Sequence, residues 1–148
     1  VLASFTPQKH EIISQETAYR MISLLRSVVD QGSGKRLRYM YRLEGPLGGK
    51  TGTTQNNADG WFMCVHPNLV IGTWVGAEDP AVHFTSTALG QGAAMALPIQ
   101  GLFLQKAYAD PSTGIRPDAI WAVPESLKGV KFDCDDYNDS PTDSDEFF

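Results

Sequence analysis

Seven residues, Gly48-Gly49-Lys50-Thr51-Gly52-Thr53-Thr54, concentrate the chemistry this chain could do. A lysine supplies a compact positive charge, and threonine hydroxyls both donate and accept hydrogen bonds. The interspersed glycines let a ligand come close to the backbone. On residue types alone the stretch is either an anion or acyl-group site at the edge of packed structure, or a turn.

The lysine first suggests a phosphate loop, which requires a glycine, four residues, and then Gly-Lys-Thr or Gly-Lys-Ser. Gly49-Lys50-Thr51 supplies the end, but the leading position holds Glu44, whose carboxylate would repel phosphate. Such a loop must also open a helix whose N–H groups face the anion. Gly52-Thr53-Thr54-Gln55-Asn56-Asn57 is a poor helix opening, so strand and turn are expected there and nucleotide binding is not.

Other constellations are thinner. His10, His66 and His83 show no metal-ligand spacing with Cys64 and Cys134, so no metal or cofactor is expected. His66, beside Pro67, reads as a turn residue at a strand end. Asp59 has no second carboxylate at a useful spacing and reads as a turn cap, while Glu78 and Asp79 read as solvated. Lys35, Arg36, Arg38 and Arg42 interleave with Tyr39 and Tyr41, a pattern that can bind single-stranded nucleic acid. Beside Gly32 and Gly34 it reads instead as a wet loop, or as the basic rim of an anionic ligand's pocket.

The totals narrow the classes further. The chain has 148 residues, one domain's worth, with a formal charge of -5. Seven of its 17 acidic residues lie between Asp133 and Glu146, so the rest is nearly neutral. That balance implies neither nucleic acid nor an acidic membrane surface as a partner. Two cysteines are too few for a disulfide framework, and Cys64, in an apolar run, is expected as a buried thiol. No stretch is long and apolar enough to span a bilayer, and no signal peptide is evident. The chain opens on Val1-Leu2 without methionine, which fits a processed product or an excised piece of something longer.

The elements that must position Lys50 follow from pattern. Val1 to Ile13 reads as extended, with Ile12 and Ile13 packing. Ser14 reads as a helix N-cap, Glu16 suits the first turn, and Ala18, Met21, Ile22, Leu25 and Val29 form one apolar stripe. Gly32 and Gly34 end that helix, which should run from about Ser14 to Gln31. Leu47 to Thr54, Trp61 to His66 and Leu69 to Ala77 read as strands, and the short turns between them predict an antiparallel meander. Apolar residues on both faces predict helices on both sides, with Gly72 and Gly76 admitting a close helix or a large ring. A second helix is expected from about Gly90 to Tyr108, with Pro98 either kinking it or lying in its first turn. Arg116 to Val123 is at best a short ordered stretch, and Asp133 to Phe148 reads as disordered. The fold class is α+β, an antiparallel sheet covered by helices.

Gly49-Lys50-Thr51-Gly52-Thr53-Thr54, then Asp59-Gly60-Trp61-Phe62, then Leu69 to Gly76 and Asp79-Pro80, together resemble the transpeptidase domain of class A (bifunctional) penicillin-binding proteins. Ser14 to Val29 resembles the helix before the lysine motif, and Gly90 to Phe103 the C-terminal helix, so the likeness covers roughly residues 10 to 108. The Lys-Thr-Gly triplet is one of the motifs of these serine enzymes. The resemblance implies a partial β-lactamase/transpeptidase-like fold, with residues 1–123 as the C-terminal portion of the domain and 124–148 as an acidic tail. It implies that Lys50 brings charge and hydrogen bonds to the active site. It implies that Thr51, Gly52, Thr53 and Thr54 bind substrate, and that the Thr53 N–H is one oxyanion-hole donor. It implies that Asp59 braces the turn. For a complete protein it implies peptidoglycan stem peptides and β-lactams as ligands, a membrane-anchored parent, and an extracytoplasmic location at the periplasmic face.

The departures are equally specific. No serine here has lysine at the third following position, and none has asparagine at the second; only Thr6, with Lys9, mimics the first spacing. The nucleophile, its base and any glycosyltransferase domain are therefore not in these residues. The expectation is a parent serine-type D-Ala-D-Ala transpeptidase whose fragment is inactive alone and self-associates through surface left by the rest of the domain. The alternative is a non-catalytic module of the same fold that binds peptidoglycan or a protein partner.

Overall fold

Ser14 sets the first helix by capping it. Its Oγ accepts a hydrogen bond from the Thr17 N–H at 3.2 Å, and its carbonyl accepts the first helical bond, from Ala18. The helix, α1, runs Gln15–Asp30. In this computed structural model residues 10–130 and 132 are described. The expectations for Thr6 and Lys9, for the extended run before residue 10, for Cys134 and for Asp133 to Phe148 lie outside the described residues. Ile12 and Ile13, expected to pack, are exposed.

The chain divides into two units, one made of the described residues within 1–20 and 123–148 and one of residues 21–122. In the first, Leu127 is buried within a 3-10 turn, Glu125–Leu127. There the Ser126 hydroxyl donates to Glu16, and the Tyr19 ring meets Phe132 edge-on. The rest of the description concerns the second unit.

Val29 is the buried end of the α1 stripe; Met21 and Leu24 are exposed. Gly32 and Gly34 then reverse the chain against the Val28 backbone, so closely that a Cβ at either would press on it. The expected wet loop instead contains a short helix, α2 (Arg36–Tyr39), because Leu37 between the charges is fully buried. Two of its arginines hold structure together. Arg36 donates to the Ala93 carbonyl at 3.0 Å, and Arg38 pairs with Asp30 at 2.6 Å while donating to the Leu43 carbonyl.

Three strands form one antiparallel sheet in sequence order: β1 (Gly48–Thr53), β2 (Gly60–His66) and β3 (Leu69–Val75). The register sets Thr51 opposite Phe62 and Phe62 opposite Thr73. Alternation therefore puts Gly49, Thr51 and Thr53 on one face with Phe62 and Cys64, and Lys50 on the other with Trp61 and Met63.

The first face is covered except at its Thr53 end. Expected cover on both sides fails because Trp61, Met63 and Trp74 stay 45, 41 and 46% exposed. The second face is closed at one corner, where Leu25 of α1 and Val65 pack on Gly48. The expected single helix from Gly90 to Tyr108 is broken. It comprises α3 (Thr87–Gly90), α4 (Gly92–Met95) and α5 (Leu97–Ala109), interrupted by an extended Gln91. Pro98 lies in the first turn of α5, where its missing N–H leaves no bond unmade.

The core joins α1, α2, the inner sheet face and α5 through Val29, Leu37, Leu43, Leu47, Phe62, Cys64, Ala96, Leu97 and Leu104. Gln100 of α5 is fully buried. Its amide nitrogen donates to the Phe62 carbonyl at 2.7 Å and the Thr73 hydroxyl at 2.9 Å, clipping β2 to β3. His66 ends β2 at the turn and is buried there, between the Arg116 carbonyl and the Asn68 N–H.

Burial pushes the Cys64 thiol up from 9.0 to about 12, and Tyr108 is raised for the same reason. Below pH 9 the Cys64 thiol is protonated in both folded and unfolded chains. Between 9 and 12 the unfolded chain releases that proton and the folded chain keeps it, so stability falls as pH rises. Cys64 should cost up to about 4 kcal/mol of stability to urea across that window, and Cys64→Ala should make the profile shallower, leaving the fall that Tyr108 causes between 10 and 12.

Candidate functional site

β1 pairs with β2 along one side, and among the described residues no strand pairs with its other side. That free edge is bordered by side chains of both faces. Lys50 is exposed on one, its Nζ donating to the Thr51 carbonyl at 2.7 Å so that the ammonium lies along the strand. Thr51 and Thr53, two apart, share the other face.

Each of these hydroxyls is held by a different element. Thr51 Oγ1 lies 2.9 Å from Ser33 Oγ, which the Gly32-Ser33-Gly34 reversal brings beside the strand. Thr53 Oγ1 accepts the backbone N–H of Gly92, the first residue of α4, at 3.1 Å. A backbone N–H can only donate, so the Thr53 hydroxyl proton is left to donate elsewhere.

Glycine makes this approach possible. A Cβ on Gly92 would overlap the carbonyl oxygens of Trp61 and Gly52, and a Cβ on Gly49 would press into the Phe62 ring. Beneath β1 there is room for the backbone alone.

The connection from β1 to β2 is bolted by Asp59. The Thr54 N–H donates to the Asp59 carbonyl at 3.0 Å, and the Asp59 N–H donates to Thr54 Oγ1 at 2.8 Å. Trp74 Nε1 reaches across from β3 to donate to Asp59 Oδ1 at 3.1 Å. Asn56 and Asn57 both take the left-handed conformation, which asparagine tolerates better than most residues. The structure thus places the Thr54 hydroxyl in the turn, and groups Lys50, Thr51, Gly52 and Thr53 at the edge. An apolar cavity of about 360 Å³ is lined by Ala58, Val75, Gly76, Val82, His83 and Phe84 among others.

The sequence reading did not single out Ser33, Gly92 or Trp74. Ser33 had a signal, a lone hydroxyl between two glycines ahead of the Lys-Thr-Gly strand. Gly92 acts through its backbone, and Trp74 through a distant partner, so neither has a local signature.

Penicillin-binding protein 1A of Pseudomonas aeruginosa is 34% identical over 131 residues, which is 88% of this chain and 15% of that protein. The 1A protein of Rickettsia bellii is 34% identical over 110 residues, 74% of this chain and 12% of its own length. Penicillin-binding protein 1B of Escherichia coli is 38% identical over 80 residues, 53% of this chain and 9% of that one. The chain therefore spans a small fraction of the curated relatives it matches. A crystal structure of penicillin-binding protein 1A from Haemophilus influenzae superposes with a TM-score of 0.64 at 26% identity, over 77% of this chain and 17% of that chain. No family model matches.

Replacing Trp74 by phenylalanine keeps a ring but removes the bond to Asp59. Stability should fall by about 1 kcal/mol, and amide hydrogen exchange should accelerate across residues 54–59 while β3 amides stay as protected as before. Equal protection of the turn in both proteins would show that Asp59 does not depend on Trp74.

Proposed function

The chain belongs to the class A penicillin-binding proteins, as a C-terminal part of their transpeptidase domain, and from that premise we propose that β1 is the ligand edge of a D,D-transpeptidase site. Presentation of the Thr51 and Thr53 hydroxyls on one side of an open edge, with Lys50 alongside, carries the reading.

In the complete protein the substrate is a peptidoglycan stem peptide ending in D-Ala-D-Ala. Thr51 and Thr53 donate to its terminal carboxylate, Lys50 adds positive charge, and Gly52 lets the peptide lie close to the strand. Thr54 closes the edge at the turn. A serine supplied from outside these residues attacks the penultimate carbonyl. The Thr53 N–H stabilises the developing oxyanion, where fixed donors gain most. The terminal D-alanine leaves, and a neighbouring peptide's amine, or water, takes the acyl group. A β-lactam presents a similar carboxylate and carbonyl and traps the same serine. This chemistry belongs at the periplasmic face of the membrane, with the parent anchored there. No described helix is long and apolar enough to cross a membrane, so the anchor would come from outside them.

The 148-residue chain alone has an orienting edge without an attacking group. An oxyanion hole lowers a barrier only when something attacks. After incubation with excess benzylpenicillin, intact-mass spectrometry should show no covalent adduct on this chain, Thr6 and every serine included. A protein extended upstream to include a Ser-x-x-Lys motif should be acylated on that serine, and Lys50→Ala should slow that acylation by about 10²-fold or more. A stoichiometric adduct on the short chain would contradict the reading.

The exposed Trp61, Met63, Val70 and Trp74 are apolar residues of one sheet face, and such patches drive association. The short chain should therefore self-associate in sedimentation velocity, and Val70→Lys should shift it toward monomer.

A further inference from the structure

We propose that Ser33 is a positioning residue that makes the β1 edge selective for a carboxylate; the proposal rests on the reading of Thr51 as a carboxylate donor. Ser33 Oγ and Thr51 Oγ1 are 2.9 Å apart, close enough for one strong hydrogen bond that either hydroxyl can donate. The two orientations differ in what they leave at the edge. If Thr51 donates to Ser33, only lone pairs of Thr51 remain, and they repel an anion. If Ser33 donates to Thr51, the Thr51 proton is released to point outward.

An arriving carboxylate accepts and never donates, so it selects the second orientation. The result is a chain of donors from Ser33 through Thr51 to the ligand oxygen, in which each bond polarises the next. Thr53 needs no such choice, because the Gly92 N–H fixes its oxygen as an acceptor and leaves its proton available to a ligand. The edge then offers two donor protons on one face of the strand, with the Lys50 charge on the other. A C-terminal amide, which brings N–H donors of its own and no charge, gains little from this arrangement.

The placement of Ser33 is built into the backbone. Gly32 and Gly34 both lie against Val28, at distances where a Cβ at Gly32 would be 2.9 Å from the Val28 Cα and one at Gly34 3.1 Å from the Val28 carbonyl oxygen. Ser33 is carried over the strand by a reversal that larger residues on either side would open. Its side chain is exposed, so removing its hydroxyl should leave folding intact.

The test is a titration of the 15N-labelled 148-residue chain with diacetyl-L-lysyl-D-alanyl-D-alanine and, separately, with its C-terminal amide. Binding is read from amide shifts of residues 50–53. The unsubstituted chain should bind the acid in preference to the amide. Ser33→Ala should weaken acid binding about 3- to 10-fold, the worth of one hydrogen bond between neutral hydroxyls, and leave amide binding unchanged. Ser33→Thr should restore the preference. If Ser33→Ala fails to fold, Ser33→Cys carries the same expectation, since a thiol is a much weaker donor. Loss of preference in Thr51→Val with full preference in Ser33→Ala would overturn the role of Ser33 and leave the carboxylate reading standing. Full preference in Thr51→Val, or no shift by the unsubstituted chain up to the solubility limit of the peptide, would overturn both.

Discussion

The backbone of Gly92 lies against the carbonyl oxygens of Gly52 and Trp61, with no room for a side chain between them. That contact fixes the start of α4 over the end of β1, and the N–H it places there holds the Thr53 hydroxyl. Gly49 repeats the device one step along, seating β1 on the Phe62 ring. Phe62 in turn is fully buried, and its carbonyl accepts from Gln100 of α5. The strand that carries Lys50, Thr51 and Thr53 therefore rests on backbone and ring contacts. An extra methyl group in such a contact typically costs 1–3 kcal/mol and moves the backbone. An edge held this way loses little entropy when it binds.

The division of labour between the faces of β1 follows from its position at a sheet edge. An interior strand pairs on both sides, as β2 does, and leaves no free backbone along which a ligand could lie. At the edge, Lys50 on one face and the threonines on the other border the same free side, so a ligand lying along it would meet charge and hydroxyls together. The asymmetry of the sheet is part of the same picture. Its inner face is closed by α2, α4 and α5, whereas Trp61, Met63 and Trp74 keep close to half their surface on the outer one.

β2 and β3 were legible because their apolar runs are short and separated by tight turns, and pairing in sequence order follows from that. Ser14 was legible as a cap because the cap is local. What the pattern missed was cover and interruption. Trp61, Met63, Val70 and Trp74 are as apolar as buried residues, so composition could not reveal that one face stays open. Ala93, Leu97, Gly101 and Leu104 keep helical spacing across the α4–α5 boundary at Ala96, and Gln91 precedes them all, so neither interruption is visible to periodicity. Arg36 and Arg38 read as surface charge because their partners, Ala93 and Asp30, are set by the tertiary fold. That Lys50, Thr51 and Thr53 share one strand was readable from the motif and its resemblance. Ser33 and Gly92 were not, because their part depends on which element folds onto the strand.

A structure of the upstream-extended protein acylated by benzylpenicillin would test the central claim most directly, since the account assigns the ligand's carboxylate to particular atoms. It predicts that carboxylate within about 3 Å of both Thr51 Oγ1 and Thr53 Oγ1, with Ser33 Oγ still bonded to Thr51 and the acyl oxygen facing the Thr53 N–H. A carboxylate held by other residues, with β1 contacting no part of the ligand, would contradict it.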